Sequence, residues 1–179
     1  TIESLVLETR VLDSLPVDRC GSDDGEAAES SSSSSQAQGD VSLLRQSCEK
    51  VEGACFSLAS PSPLQSPKLV CVSADALALI GLATPVDAGE RTLFSEYFCG
   101  NRLFPGSVPA AHCYCGYQFG HFSGQLGDGA AIYLGNTRDQ QGRQELQLKG
   151  AGPTKYSRRG DGRKVLRSSL REFLCSEAM

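Results

Sequence analysis

The clearest periodicity lies at the C-terminal end of the chain. In VLRSSLREFLCSEAM, Leu166, Leu170, Phe173, Leu174 and Glu177 or Ala178 recur at helical spacing, which predicts an amphipathic helix with one apolar stripe. Arg163, Arg167 and Arg171 fall every fourth residue on one flank of that pattern. Glu172 falls on the other flank with Val165, Ser169 and Ser176, at the edge of the stripe. Upstream the period changes to two. Glu145-Leu-Gln-Leu-Lys149 alternates polar and apolar, and Ala131-Ile-Tyr-Leu134 is a short apolar run. These two segments predict strands joined by a polar loop over 136–143. Gly124-Gln-Leu-Gly127-Asp128-Gly129 predicts a tight turn at the start of this hairpin, and Gly150-Ala-Gly152-Pro153 interrupts it at the end.

Further upstream the pattern is shorter in range. Ser73 reads as the N-cap of a short helix, ADALALI, stopped by Gly81, with Leu77, Ile80 and Ala76 facing inward. Residues 92–121 are rich in Gly, Pro and aromatic side chains and predict irregular packed structure. ACFSLASPSPLQSPKLVCVS mixes apolar runs with Pro and Ser, as extended segments and turns do. Residues 20–46 are Ser-, Gly- and acid-rich and nearly free of apolar groups, so they predict a disordered linker. The chain therefore divides into an N-terminal element (1–19), that linker (20–46) and a folded unit (47–179).

Composition adds compartments and charge. Hydrophobic residues make up 40% of the 179, which suits a globular fold. No apolar run approaches the ~18 residues needed to cross a bilayer, so no membrane insertion is expected. Net charge is −4, unevenly spread. Residues 1–140 carry 8 basic and 17 acidic side chains, whereas 141–179 carry 9 basic and 4 acidic ones. A basic segment on an acidic chain suggests either a local anionic ligand or a solvated helix face. Eight cysteines sit partly in apolar company, such as Cys71 in LVCV and Cys175 in EFLCSEA, which predicts buried reduced thiols. His112-Cys113-Tyr-Cys115 offers a fragment of a metal site without a second ligand pair. The chain begins at Thr1 and its helical pattern runs to Met179 without a stop signal, which leads us to expect a fragment.

Four features then occur in order: a glycine turn before a strand, a lysine ending the next strand, a Gly-Asp-Gly turn, and a helix glutamate. Glycines let backbone approach phosphates, a strand lysine holds phosphate oxygens, and a helix glutamate holds the lysine. That is the order of a kinase-type small lobe. The expected fold class is α+β, an incomplete protein-kinase-like N-terminal lobe with an N-terminal extension and the Ser-rich loop.

GQLGDGAAIYLG and ELQLKGAGPTKYSRRGDGRKVLRSSLREFLCSEAM closely resemble the selenoprotein O family of pseudokinase-like adenylyltransferases. FCGNRLFPGSVPAAHCYCGYQFGHFSGQLGDG resembles the segment just upstream in that family, and VLDSLPVD and SPSPLQSPKLVCVSADALALIGL its N-terminal region. The resemblance implies transfer of AMP from ATP, bound in an inverted orientation, to protein Ser, Thr or Tyr hydroxyls with Mg²⁺ or Mn²⁺. It implies nucleotide contacts at Gly127 and Gly129, a phosphate-binding Lys149, a nucleotide-contacting turn at Asp161 and Gly162, and Glu172 paired with Lys149. The catalytic aspartate and metal ligands are expected beyond Met179, leaving none within this chain and a fragment inactive and unstable alone. The partners implied are protein substrates, with no nucleic acid, and the location implied is mitochondrial. Two positions depart from the family: Ala130 stands where many bacterial members have arginine, and Tyr117 where a histidine is common. Competing readings are a γ-phosphoryl kinase, a catalytically inactive nucleotide- or partner-binding truncation product, and a cysteine-based redox module.

Overall fold

The alternation in the last strand shows how the sheet is built. Strand β6 (Gly142–Lys149) turns Leu146 and Leu148 into the core and leaves Glu145, Gln147 and Lys149 outside. It pairs antiparallel along its whole length with β5 (Ala131–Asp139), from Ala131↔Lys149 to Asp139↔Gly142. Ile132, Tyr133 and Leu134 of β5 are essentially inaccessible to solvent. The computed structural model describes residues 1–18, 51–139, 142–158 and 160–179, and the linker expected over 20–46 lies outside them.

The sheet is mixed and has six strands, in the order β1-β2-β3-β5-β6, with β4 paired to β3 off this path. Strand β1 (Val17–Asp18) runs parallel to β2 (Phe56–Leu58), and β2 runs antiparallel to β3 (Ala110–Gln118). The far half of β3 leaves the main sheet and forms a second antiparallel pairing with β4 (His121–Gly127). Residues 1–18 belong to the same body: Ile2 and Leu7 enter the main core, and Leu12 packs with Phe56, Ala110 and Tyr133. The architecture is α+β, as expected.

Helix α1 (Arg10–Asp13) is a single turn. Helix α2 (Ala74–Leu79) starts where the sequence predicts, with Ser73 Oγ accepting from the Ala76 amide at 3.1 Å. Its stop is Gly81, at φ +71°, a conformation open to glycine. Leu77 is buried and Ile80 packs at the core edge, but Ala76 is exposed, because a helix this short turns only one face inward.

Residues 92–121 are irregular only between 99 and 109, and the rest of the segment is mostly helix and strand. Helix α3 (Ala88–Phe98) is capped by Asp87, which accepts from the Glu90 amide at 2.8 Å, and Glu90 in turn accepts from the Val86 amide. Leu93, Phe94, Tyr97 and Phe98 recur at helical spacing, and Tyr97 stacks on Phe104 with ring centroids 4.8 Å apart. Gly100, Pro105, Gly106 and Pro109 lie between α3 and β3, whereas Gly116 is within β3 and Gly120 in the turn that follows it.

Gly124–Gly127 is strand, and only the Asp128–Ala130 stretch bends. The polar segment 136–143 is largely strand, because the β5–β6 ladder continues through Asn136↔Glu145 to Asp139↔Gly142 and needs no apolar side chains to do so. Thiols are less buried than their neighbours suggested: Cys71, Cys115 and Cys175 are exposed, while Cys55, Cys99 and Cys113 are half-buried.

Helix α4 (Leu166–Ala178) forms as the period predicts, but its apolar stripe is not covered. None of its side chains is buried, and Leu166 and Leu174 are exposed. Arg163 lies before the helix, whose N-cap is Val165, and donates to the carbonyls of Ser62 and Pro63. Among the described residues no helix is long and apolar enough to cross a membrane.

Candidate functional site

Lys149 is the last residue of β6 and Glu172 lies within α4. Their charged groups meet at 2.7 Å, Nζ to Oε2. Both remain partly open to solvent, with side chains 50% and 42% exposed, so the pair can meet a ligand without unfolding anything. Lys164 approaches the other carboxylate oxygen, Oε1, at 4.0 Å. The hydrogen bond from Lys149 holds the Glu172 carboxyl below its usual range, and the charges of Lys164 and Arg171 act in the same direction.

The glycine turn is tied to the same place. Ala131 pairs with Lys149 in the ladder, and the Gly150 amide donates to the Ala130 carbonyl at 2.6 Å. Gly127 ends β4 and Gly129 lies in the bend between β4 and β5, just before the residues that meet the end of β6. Their lack of side chains is used by the chain itself. A Cβ on Gly127 would overlap the Tyr156 ring, and one on Gly129 would lie 2.6 Å from the Tyr156 carbonyl oxygen. Two amides of the turn are also committed internally, Gly129 to the Gly127 carbonyl at 2.8 Å and Asp128 to the His112 carbonyl at 2.9 Å.

A tight turn at 154–157 clasps this loop. Thr154 Oγ1 donates to the Asp128 carbonyl at 2.7 Å, and Ser157 Oγ donates to the Gly129 carbonyl at 2.6 Å. The clasp is itself anchored to strands β1 and β2. The Tyr156 hydroxyl bonds Ser57 Oγ at 2.7 Å, Ser57 also donates to Asp18, and Asp18 forms a largely buried ion pair with Lys155. Burial is the first reason the Tyr156 hydroxyl is pushed above its ordinary pKa.

The Gly160-Asp161-Gly162 turn lies on the stretch after Lys149. Gly162 packs against Gly152, and Arg163 forms a bridge with Ala151. The Asp161 carboxylate accepts from the Arg163 amide at 2.9 Å, so it shapes its own turn. Of the six residues expected at the site, Lys149 and Glu172 are in direct contact, and Gly127 and Gly129 belong to the bend whose next residues, Ala130 and Ala131, bond the end of β6. Asp161 and Gly162 are brought alongside through residues 150–153.

Sequence reasoning passed over several residues here. Asp128 Oδ2 accepts from the His112 backbone amide at 3.0 Å and stands 3.2 Å from His112 Nδ1. That contact raises the His112 pKa, against an opposing effect of burial. Asp128 was legible as a carboxylate between two glycines; its partner was not, because only the β3–β4 register Cys113↔Gly127 places His112 beside it. Lys164, Thr154 and Ser157 carried no local signal. Among the described residues no three His, Cys, Asp or Glu side chains cluster as metal ligands would, and His112 turns to Asp128.

A lysine held by a carboxylate at a strand end, with further cations around one carboxylate, suits an anionic ligand. Comparison with known proteins narrows the class. A family model described as protein adenylyltransferase SelO matches residues 46–179. Over 130 residues the chain is 63% identical to the mouse protein adenylyltransferase SelO, mitochondrial, covering 72% of this chain and 20% of that protein. It is 62% identical over 130 residues to the human protein of the same name, covering 72% and 19%. It is 57% identical over 131 residues to the protein nucleotidyltransferase YdiU of Azoarcus sp. strain BH72, covering 73% and 25%. The chain thus spans a fifth to a quarter of the length of these relatives.

Proposed function

The chain belongs to the protein adenylyltransferase SelO family, and from that premise we propose that it is the nucleotide-binding part of an enzyme that moves AMP from ATP to protein hydroxyls. The observation that carries this reading is the Lys149–Glu172 contact at 2.7 Å, beside the glycine turn. In a kinase-like small lobe this pair holds the nucleotide phosphates in place. The six-stranded sheet with α4 set against the end of β6 is compatible with that lobe, and we propose it as the fold.

Each residue has a role in this reading. Lys149 binds phosphate oxygens, and Glu172 orients its ammonium. Gly127 and Gly129 permit the turn to pack on Tyr156 and so fix where the nucleotide lies. Because the Asp128 and Gly129 amides are already bonded, charge on the phosphates is met by lysine rather than by those amides. Asp161 and Gly162 form the second nucleotide-facing turn. The transfer would form a bond from a Ser, Thr or Tyr oxygen to the α-phosphorus and release pyrophosphate. The hydroxyl proton passes to a base outside this chain. Mg²⁺ or Mn²⁺ is part of the proposed reaction, but the described residues build no metal cluster, and this chain's share is binding and orientation. A mitochondrial location follows the names of the mouse and human relatives.

The test uses the full-length gene product with Mg²⁺ or Mn²⁺ and ATP labelled at the α or the γ phosphate. Label transferred to protein from the α position alone, and lost in Lys149→Ala, is the expected result. Label from the γ position would make the protein a kinase and overturn the reading.

A further inference from the structure

We propose that Lys164 is a second phosphate-binding cation of this site, sharing the Glu172 carboxylate with Lys149. This rests on the nucleotide-binding reading given above and adds a residue to it.

The close approach has a cause in the backbone. Gly150, at φ +83°, follows Lys149 directly, and a Cβ there would lie 2.5 Å from both Cβ and Cγ of Lys164. Only glycine leaves room for the Lys164 stem to lie across the chain at that point. The bridge between Ala151 and Arg163 and the packing of Gly162 on Gly152 hold the two segments together. Cβ and Cγ of Lys164 thereby lie against Gly150, while the residue stays open to solvent, its side chain 33% exposed.

The result is two ammonium groups on one carboxylate, 2.7 Å from Oε2 and 4.0 Å from Oε1. One carboxylate neutralises one of them. The excess positive charge is directed to the same partly open place, where the lysines also repel each other. A polyphosphate chain relieves that repulsion and can take both ammonium groups, whereas a neutral nucleoside cannot. A lysine with a wholly free stem would lose more side-chain entropy to do the same; Cβ and Cγ of Lys164 are already placed against Gly150.

The test measures ATP and adenosine affinity by calorimetry on the full-length protein and its Lys164→Gln, Lys164→Arg and Lys149→Ala variants. Lys164→Gln keeps the stem and removes the charge. It is expected to weaken ATP binding about fivefold, to leave adenosine binding as it was, and to lose its effect as salt is raised. Lys164→Arg is expected to restore ATP affinity. Unchanged ATP affinity in Lys164→Gln, with affinity lost in Lys149→Ala, would overturn the role of Lys164 and leave the nucleotide reading standing. Unchanged affinity in both variants would remove the nucleotide reading and this inference with it. Equal weakening of ATP and adenosine by Lys164→Gln would show a packing effect and also overturn it.

Discussion

Lys149 and Glu172 meet at 2.7 Å although the helix that carries Glu172 buries none of its side chains. The contact therefore helps to define how α4 sits against the sheet, as well as holding the lysine head. Glu172→Gln keeps the shape and removes the charge that orients Lys149. In the full-length protein it is expected to lower ATP affinity, as Lys149→Ala does, and adenylyl transfer with it. Measured together by calorimetry and α-label transfer, the two losses in a double variant should be less than additive, because they remove one interaction.

The same pair sets a pH dependence on the acid side. The Glu172 carboxyl is held below its ordinary value of about 4.3, so its charged form is favoured in the fold. The pairing is complete above that ordinary value and is lost as pH falls through the lowered one. Glu172→Gln should flatten this limb of a stability-against-pH curve followed by thermal melting.

His112 works in the opposite direction. Its contact with Asp128 raises its pKa, so the protonated ring is favoured in the fold. The stabilisation is complete below the ordinary value of about 6.5 and is lost as pH rises through the raised value. His112→Gln should remove that fall in melting temperature. A variant whose curve matches the parent across this range would show that His112 does not couple to folding.

Gly127→Ala places a methyl group where the Tyr156 ring lies. Because Tyr156 is anchored through its hydroxyl to Ser57, it has little freedom to withdraw. The substitution is expected to cost about 1–3 kcal/mol in chemical denaturation. It should also weaken ATP binding, since the turn must shift. Gly124→Ala has open space for a methyl group but sits at φ +71°, so its cost should be limited to backbone strain of about 1 kcal/mol.

Lys155 and Asp18 form an ion pair with side chains 14% and 11% exposed. Lys155→Met removes the cation from a poorly solvated carboxylate and is expected to cost about 3 kcal/mol in the same denaturation experiment. Ser57 remains as a hydrogen-bond donor to Asp18 and limits the loss.

Much of the local structure was legible in the chain. Leu146 and Leu148 alternate with polar neighbours, and the strand follows. Ser73 and Gly81 bracket α2 because a hydroxyl cap and a left-handed stop are local devices. The 3.6 period of 166–178 gave α4. The reading of 92–121 held only for 99–109, because the Gly and Pro there masked the helical spacing of Leu93, Phe94, Tyr97 and Phe98 just before them. The polar stretch 136–143 was read as a loop because ladder hydrogen bonds use backbone, which leaves no mark on side-chain pattern.

By itself the sequence determined the family, the α2 and α4 helices and the apolar halves of β5 and β6, since these depend on short-range period, capping and motif order. The tertiary structure alone decided which groups meet. Lys149 reaches Glu172 because α4 returns to the end of β6, Asp128 meets His112 through the β3–β4 register, and Lys164 lies against Gly150 because that residue has no side chain. Those relationships join residues far apart in the chain through packing and register, and no local pattern encodes the distance between them.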